Sequence, residues 1–170
     1  MGRVQLSPNF NETEFSVSRA HPDLVDDVPA QYVPKLQRLA VYGLQIVRDR
    51  TNQSLTVLSG YRSPELNAAV GGSRTSQHVM GEAADFTCPD IRRAVYDIID
   101  LIQEGRLGAI GQIIYYPSQS FVHMALTSRR FSVPTLCIKW PSEEYNYTPC
   151  EATREAFDEM VPPHLDPSTV

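Results

Sequence analysis

His78 and Asp85 are the two residues whose types and spacing are best suited to metal chemistry. A neutral imidazole and a carboxylate are both good ligands for a divalent transition metal such as zinc. Six residues separate the two, so they do not share one helical face as the histidines of H-E-x-x-H do. The small residues Gly81, Ala83 and Ala84 between them allow a sharp turn and entry into a tightly packed strand.

A third ligand must come from elsewhere, because a catalytic zinc site has three protein ligands and one open position. The chain has four histidines, and His123 stands in the middle of an apolar, strand-like stretch. His21 and His164 are better explained as ordinary surface or core residues. Spacing alone leaves two interpretations open: His78, Asp85 and His123 form a metal site, or each has a separate structural role.

Hydrolysis at such a metal also needs a proton shuttle and a donor that steadies the oxyanion. Arg62 directly follows a predicted strand and is the candidate for the second role. Ser76, two residues before His78, is a candidate to hydrogen-bond a substrate carboxylate or carbonyl. The structural alternatives are that Arg62 pairs with an acid, that Ser76 holds a turn, and that Asp85 caps one.

Composition places limits on the function. The 170 residues fit one domain, with 42% hydrophobic and 21% charged residues, as in ordinary globular proteins. A net charge of -5 argues against a nucleic-acid partner. No apolar run approaches the roughly 20 residues of a membrane span, so no integral membrane segment is expected. The N-terminal residues show no apolar h-region, so no secretory signal is predicted.

The three cysteines are Cys88, Cys137 and Cys150, and none belongs to a C-x-x-C pair. A thiolate zinc site is therefore not expected. A disulfide between Cys137 and Cys150 is one alternative, but buried free thiols are favoured in a chain without a visible export signal.

The hydrophobic pattern predicts an α+β domain, in which helices pack on a small antiparallel or mixed sheet. The predicted order is helix, strand, helix, strand, helix, hairpin. Residues 1–30 are expected to form an N-terminal arm anchored by Phe10 and Phe15, residues 31–130 the core, and residues 131–170 an extension of the same domain. The predicted elements are a helix at 31–50, a strand at 55–59, a short helix from 64 to about 70, a strand at 83–87, a helix from 91 to about 104, a hairpin of 112–116 and 121–126, an edge strand within 133–140, and a helix at 151–160.

Several runs resemble the zinc D-alanyl-D-alanine carboxypeptidase family, which includes bacterial carboxypeptidases and phage endolysins that cut L-alanyl–D-glutamate bonds in peptidoglycan. The resemblance covers about residues 6–128. Its most specific element is Ser-x-His followed, after six residues, by Asp. The runs are Ser59-Gly60-Tyr61-Arg62-Ser63-Pro64, Leu66-Asn67-Ala68-Ala69-Val70-Gly71-Gly72-Ser73, Thr75-Ser76-Gln77-His78, Gly81-Glu82-Ala83-Ala84-Asp85-Phe86, Gln112-Ile113-Ile114-Tyr115 and Phe121-Val122-His123-Met124.

The resemblance implies a hedgehog/DD-peptidase fold, a Zn²⁺ cofactor and a peptidoglycan stem peptide as partner. It implies His78, Asp85 and His123 as the metal ligands, Arg62 as transition-state or substrate binder, and Ser76 as substrate contact. It further implies a bacterial or phage-encoded peptidoglycan hydrolase that acts on the cell wall. A carboxypeptidase and an endopeptidase of the endolysin type both remain open.

One feature departs from the family pattern. An Asp or Glu usually stands three residues before the last histidine, where this chain has Ser120, and some relatives have Glu near the position of Tyr116. Loss of a general acid/base costs about 10²- to 10⁴-fold in rate. Glu82, Tyr115 or Tyr116 are the candidates to replace it.

The missing acid motivates a second hypothesis. The chain would then be a weakly active or non-catalytic metal-containing module that binds the cell wall, as a virion component or a homo-oligomeric assembly. A hedgehog-like signalling domain is a third alternative. It is disfavoured because such domains are secreted and no signal is seen.

Overall fold

The computed structural model describes residues 4–141 and 147–165. It has the predicted α+β architecture, with a two-stranded antiparallel ribbon, a six-stranded mixed sheet and helices. The strands are β1 (Gln5–Ser7), β2 (Phe10–Asn11), β3 (Thr56–Ser59), β4 (Ala83–Thr87), β5 (Ile110–Tyr116), β6 (Phe121–Leu126), β7 (Thr135–Ile138) and β8 (Thr148–Cys150). The helices are α1 (Val33–Leu39), α2 (Gln45–Thr51), α3 (Pro64–Ala69), α4 (Ile91–Gln103) and α5 (Arg154–Met160).

The first long helical segment is confirmed, with one irregularity. A π-helical stretch, Ala40–Leu44, joins α1 to α2 without a break. Gly43 lies in this stretch, where a Cβ atom would be 2.8 Å from Cδ1 of Ile110 and 2.9 Å from Sδ of Met124. The absence of a side chain therefore lets the helix approach the sheet closely.

Two other helices begin where the sequence predicts. The Ser63 hydroxyl accepts a hydrogen bond from the Leu66 N–H at the start of α3, and the Asp90 carboxylate accepts one from the Arg93 N–H at the start of α4. These are N-caps, which satisfy backbone donors that a helix leaves unpaired at its first turn.

The large sheet has the strand order β3-β4-β6-β5-β7-β8. Its neighbours are antiparallel except β5 and β7, which pair in parallel. The prediction that residues 133–140 hold an edge strand was wrong, because β8 pairs with β7 on its outer side. Pro134 lies just before β7, so its missing N–H removes no ladder hydrogen bond from the strand.

The N-terminal residues contact the core through two phenylalanines. Phe10 and Phe15 are 1% and 0% exposed, with ring centroids 6.3 Å apart. The arm is not wholly irregular, since β1 and β2 form a short ribbon within it. All three cysteines are buried free thiols.

Candidate metal centre

The centre of the large sheet places two of the predicted ligands side by side. Asp85 of β4 is directly opposite His123 of β6, and the row continues to Ser59 on β3 and Ile114 on β5. Directly opposed residues in a sheet point to the same face. Asp85 and His123 therefore share one face of the sheet because of strand register alone.

The other face of the same strands forms the hydrophobic core. Successive residues of a strand alternate between the two faces. The residues next to the ligands in sequence are accordingly buried side chains of the core, and each is 0% exposed: Ala84, Phe86, Val122 and Met124. One face is closed by apolar packing, and the opposite face carries the polar site.

His78 reaches the site from a 3₁₀ turn, Gln77–Met80, that precedes β4. Ser76 caps this turn, and its hydroxyl accepts a hydrogen bond from the His78 N–H at 3.4 Å. Gly81 ends the turn at φ +65°, a left-handed conformation that glycine adopts without a steric penalty. Gly81 thus provides the sharp turn that the sequence predicted between His78 and Asp85.

A backbone carbonyl orients the His78 ring. Nδ1 of His78 is 2.7 Å from the carbonyl oxygen of Gly60, so it donates its proton there. That hydrogen bond leaves Nε2 unprotonated and directed at the other ligands. Metal-bound histidines are commonly held in this way, with the second nitrogen bonded to a carbonyl or carboxylate.

The three ligand atoms form a compact triangle. His123 Nδ1 is 2.8 Å from Asp85 Oδ1, His78 Nε2 is 3.2 Å from His123 Nδ1, and His78 Nε2 is 3.3 Å from Asp85 Oδ1. Ligands about 2.0–2.1 Å from a tetrahedral zinc ion would be roughly 3.3 Å from one another. The two edges at His78 match this value, and the edge between His123 and Asp85 is shorter, at the length of a hydrogen bond. The three side chains form a group that could hold a metal ion.

Burial sets the protonation of the site. It is the strongest influence on His78, and it lowers the pKa of the imidazole, which favours the neutral form that binds metal. Burial also opposes ionisation of Asp85. The charge interaction and hydrogen bonds with His78 and His123 outweigh it and hold the pKa of this carboxyl below its usual range. The site therefore presents an anionic carboxylate beside a neutral imidazole.

Arg62 is attached to the same carboxylate. Its guanidinium donates from Nη2 to Asp85 Oδ2 at 2.7 Å and from Nε to the Ser59 hydroxyl at 2.8 Å. Asp85 thus uses Oδ1 toward the two histidines and Oδ2 toward the arginine. The structural alternative for Arg62 is therefore observed, since it pairs with an acid, and this ion pair lies in the site.

The ligand triangle opens into a cavity of about 690 Å³. Arg62, Ser76 and Tyr116 line it together with the three ligands, so most of the predicted site residues converge there. Tyr116 stacks on Phe121, with ring centroids 4.3 Å apart and an angle of 14° between the planes. Burial raises the pKa of the Tyr116 phenol to about 12, so it is a hydrogen-bond donor at neutral pH.

Two other candidates for the missing acid lie elsewhere. Glu82 is not among the cavity residues, and its carboxylate is 2.7 Å from Nζ of Lys35. Tyr115 is fully buried on the core face. Ser120 follows a 3₁₀ turn at φ +53°, and its carbonyl accepts a hydrogen bond from the Thr87 hydroxyl at 2.7 Å. Among the described cavity residues, Asp85 is the only carboxylate.

Comparison with known protein families agrees with this geometry. The family model described as Peptidase M15 matches residues 9–125, more than half of the chain. The chain belongs to the M15 peptidase family. His78, Asp85 and His123 all lie within the matched segment. A search of curated proteins found no match to the chain.

Several residues of the site escaped sequence analysis. Gly60 acts through its carbonyl and Ser59 through its support of Arg62, and no side-chain pattern identifies either role. The cavity lining also includes Arg130 and Tyr147, which lie outside the runs that resemble the family. Among the described residues, no helix has both the length and the apolar character to cross a bilayer.

Proposed function

We propose that this M15 peptidase is a zinc-dependent hydrolase of peptidoglycan stem peptides. The observation that supports this best is the triangle of His78 Nε2, Asp85 Oδ1 and His123 Nδ1, which has the dimensions of a zinc site and opens into a large cavity. Zinc held by these residues would supply Lewis acidity, which activates water and polarises a peptide carbonyl.

Arg62 is the proposed oxyanion and substrate donor. A guanidinium has five N–H donors, and the contacts to Ser59 and Asp85 use two of them. The remaining donors are available to a carbonyl in the cavity. Because Arg62 is held at both ends of its fork, it can act without reorganisation, which is the property that makes electrostatic stabilisation effective.

Ser76 and Tyr116 are the proposed polar contacts of the substrate. Ser76 lines the cavity two residues before His78, where its hydroxyl can bind a carbonyl or carboxylate. Tyr116 is protonated at neutral pH, so we assign it as a hydrogen-bond or proton donor to the leaving group rather than as a base.

A second cavity bears on the type of peptidase. It has a volume of about 250 Å³ and shares Arg62, Asp85 and Phe121 with the larger one. Because the smaller cavity is lined by Asp85 but by neither His78 nor His123, it adds space beside the Asp85 edge of the triangle, which supports a longer substrate such as an endopeptidase binds. A carboxypeptidase would instead need one side to be closed around a chain end.

The alternative is a weakly active or non-catalytic module that binds the cell wall, as a virion component or in a homo-oligomeric assembly. The observation that favours it is the absence of a carboxylate other than Asp85 among the described residues of the larger cavity. A metal ligand is not free to act as general acid/base. Such a protein would bind the stem peptide through the same cavity without rapid turnover.

Incubation of purified sacculi with the zinc-supplemented protein, followed by mass spectrometry of the released fragments, tests both functions. We expect fragments cut within the stem peptide, and their new termini identify the bond. Loss of a terminal residue alone indicates a carboxypeptidase, whereas internal cleavage indicates an endopeptidase. Sedimentation of intact protein with sacculi, without product, would reject the peptidase and support the binding module.

A further inference from the structure

The lining of the larger cavity contains a cation, Arg130, outside the segment that the family model matches. Arg130 follows β6, and the matched segment ends at residue 125. Arg130 lines the same cavity as the ligand triangle, together with Phe131 and Tyr147. We refer to these three residues as the Arg130 wall.

Aromatic rings hold the guanidinium of Arg130 in place. Its Cζ is 5.3 Å from the ring centroid of Phe131 and 5.6 Å from that of Tyr147, both within the range of cation–π attraction. The two rings also contact each other, with centroids 6.0 Å apart. Gln112 hydrogen-bonds the Tyr147 side chain and so helps to fix that ring.

The backbone beneath this wall is fixed as well. The Ser128 N–H donates to the Phe131 carbonyl at 2.9 Å, and the Phe131 N–H donates to the Ser128 hydroxyl at 3.2 Å, which closes a turn around Arg130. This turn lies against Gly111 of β5, where a Cβ atom would be only 2.2 Å from the Phe131 carbonyl oxygen. Hydrogen bonds between Ser128 and Phe131 and packing against β5 therefore hold the turn that carries Arg130.

The charge of Arg130 has no carboxylate partner in the part of the chain that the structure describes. The other arginine of the cavity, Arg62, is paired with Asp85. The described lining thus carries two guanidinium groups against one carboxylate, in a protein whose net charge is -5. A cavity that is locally positive in an acidic protein favours an anionic ligand.

The geometry points to the Arg130 wall as a subsite for a carboxylate of the peptide substrate. An arginine fork matches a carboxylate with two parallel hydrogen bonds, and a tyrosine hydroxyl adds a further donor. The ring faces of Phe131 and Tyr147 suit a small apolar side chain next to that carboxylate. This inference rests on the proposed function, because it takes the ligand of the cavity to be a cell-wall peptide.

Stem peptides in free-acid and carboxamide forms test the subsite. One peptide is amidated at its C-terminus and another at the α-carboxyl of its D-glutamate, so that the two carboxylate sources are separated. Arg130→Gln removes the charge. Arg129→Gln is the matched control, because it removes a neighbouring exposed arginine that does not line the cavity. Zinc content, measured by metal analysis, should be the same in all three proteins.

We expect Arg130→Gln to lower kcat/KM for the acid peptide about 2- to 5-fold, the range for an ion pair at a solvent-exposed side chain such as Arg130. The peptide amidated at the recognised carboxyl should have a low kcat/KM with the wild type. Arg130→Gln should not lower that kcat/KM further. Arg129→Gln should behave as the wild type does. Equal losses for acid and amide peptides, or equal rates of both with the wild type, would overturn the subsite.

Calorimetric titration of the same peptides onto the metal-depleted full chain separates this inference from the peptidase itself. Stronger binding of the acid form that depends on Arg130 would support the subsite even if no peptide is cleaved by the zinc-loaded protein, in which case only the proposed activity fails. If the zinc-loaded protein cleaves the acid and amide peptides equally well, the proposed peptidase activity stands and the proposed subsite is rejected.

Discussion

Asp85 and His123 face each other across the two central strands, with Oδ1 and Nδ1 2.8 Å apart. Because side chains alternate along a strand, a shift of one residue between β4 and β6 would send one of the two to the core face. The register of these strands and the geometry of the candidate metal centre are therefore a single structural property. The apolar residues that alternate with the ligands secure that register by burial.

The first prediction concerns the metal ligands. Replacement of His78 or His123 by alanine should leave the purified protein without stoichiometric zinc, because two remaining ligands do not form a stable site. Metal analysis after dialysis measures this, and hydrolysis of sacculi should be lost in parallel. His164→Ala is the matched control, since this histidine is exposed and distant in sequence. Full zinc content in the His78 variant would reject the ligand assignment.

The second prediction separates two roles of Arg62. Arg62→Ala should weaken zinc binding about 10- to 100-fold, because it removes the partner that holds Asp85 Oδ2. Arg62→Lys keeps the charge but cannot bridge Ser59 and Asp85 with a planar fork. We therefore expect the lysine variant to recover zinc affinity more fully than activity, measured by zinc titration and by kcat. Equal recovery of both would contradict a direct role of Arg62 in the reaction.

The third prediction concerns Tyr116. If its phenol donates a proton or hydrogen bond to the substrate, Tyr116→Phe should lower kcat about 10²-fold or more while zinc content stays unchanged. Its pKa is raised to about 12 by burial, so its own ionisation should produce no change in rate between pH 6 and 9. Phenylalanine keeps the stacking on Phe121, which makes this variant a test of the hydroxyl alone. An unchanged kcat would exclude the role.

The fourth prediction follows from the buried cysteines. Burial raises the pKa of Cys88, Cys137 and Cys150 to about 11, so the native thiols should react slowly with a disulfide reagent at pH 8 and rapidly in guanidinium. The unfolded thiols, with a pKa near 9.0, ionise first. The stability that these thiols contribute should therefore be complete below pH 9 and decline as the pH rises toward 11.

The fifth prediction tests whether residues 131–170 belong to the same domain. Phe157 of α5 is fully buried, and its ring centroid lies 5.7 Å from that of Tyr115 on β5. Phe157→Ala should lower the free energy of unfolding by about 3–5 kcal/mol. Chemical denaturation measures the change, with Leu165→Ala at an exposed position as control. A second unfolding transition, with the first unaltered, would show that the extension folds separately.

The elements that the sequence predicted well are those with strong local signals. The caps at Ser63 and Asp90 and the strand–turn–strand sequence of the hairpin depend on neighbouring residues only, so they can be identified without the fold. The residues of β7 were predicted correctly, but its place in the sheet was not. Whether a strand lies at an edge depends on which strand pairs with it, and β8 begins ten residues after β7 ends.

The sequence by itself predicted the candidate ligands His78, Asp85 and His123, the sharp turn at Gly81 and the likeness to a peptidase family, because these depend on residue types and on short motifs that resemble that family. Only the tertiary structure decided what surrounds the ligands. Three of these contacts are between residues far apart in the chain. The Gly60 carbonyl accepts from His78, Glu82 pairs with Lys35, and Arg130 lines the same cavity as the candidate ligands. Such contacts follow from strand order and packing, which no local pattern of residues records.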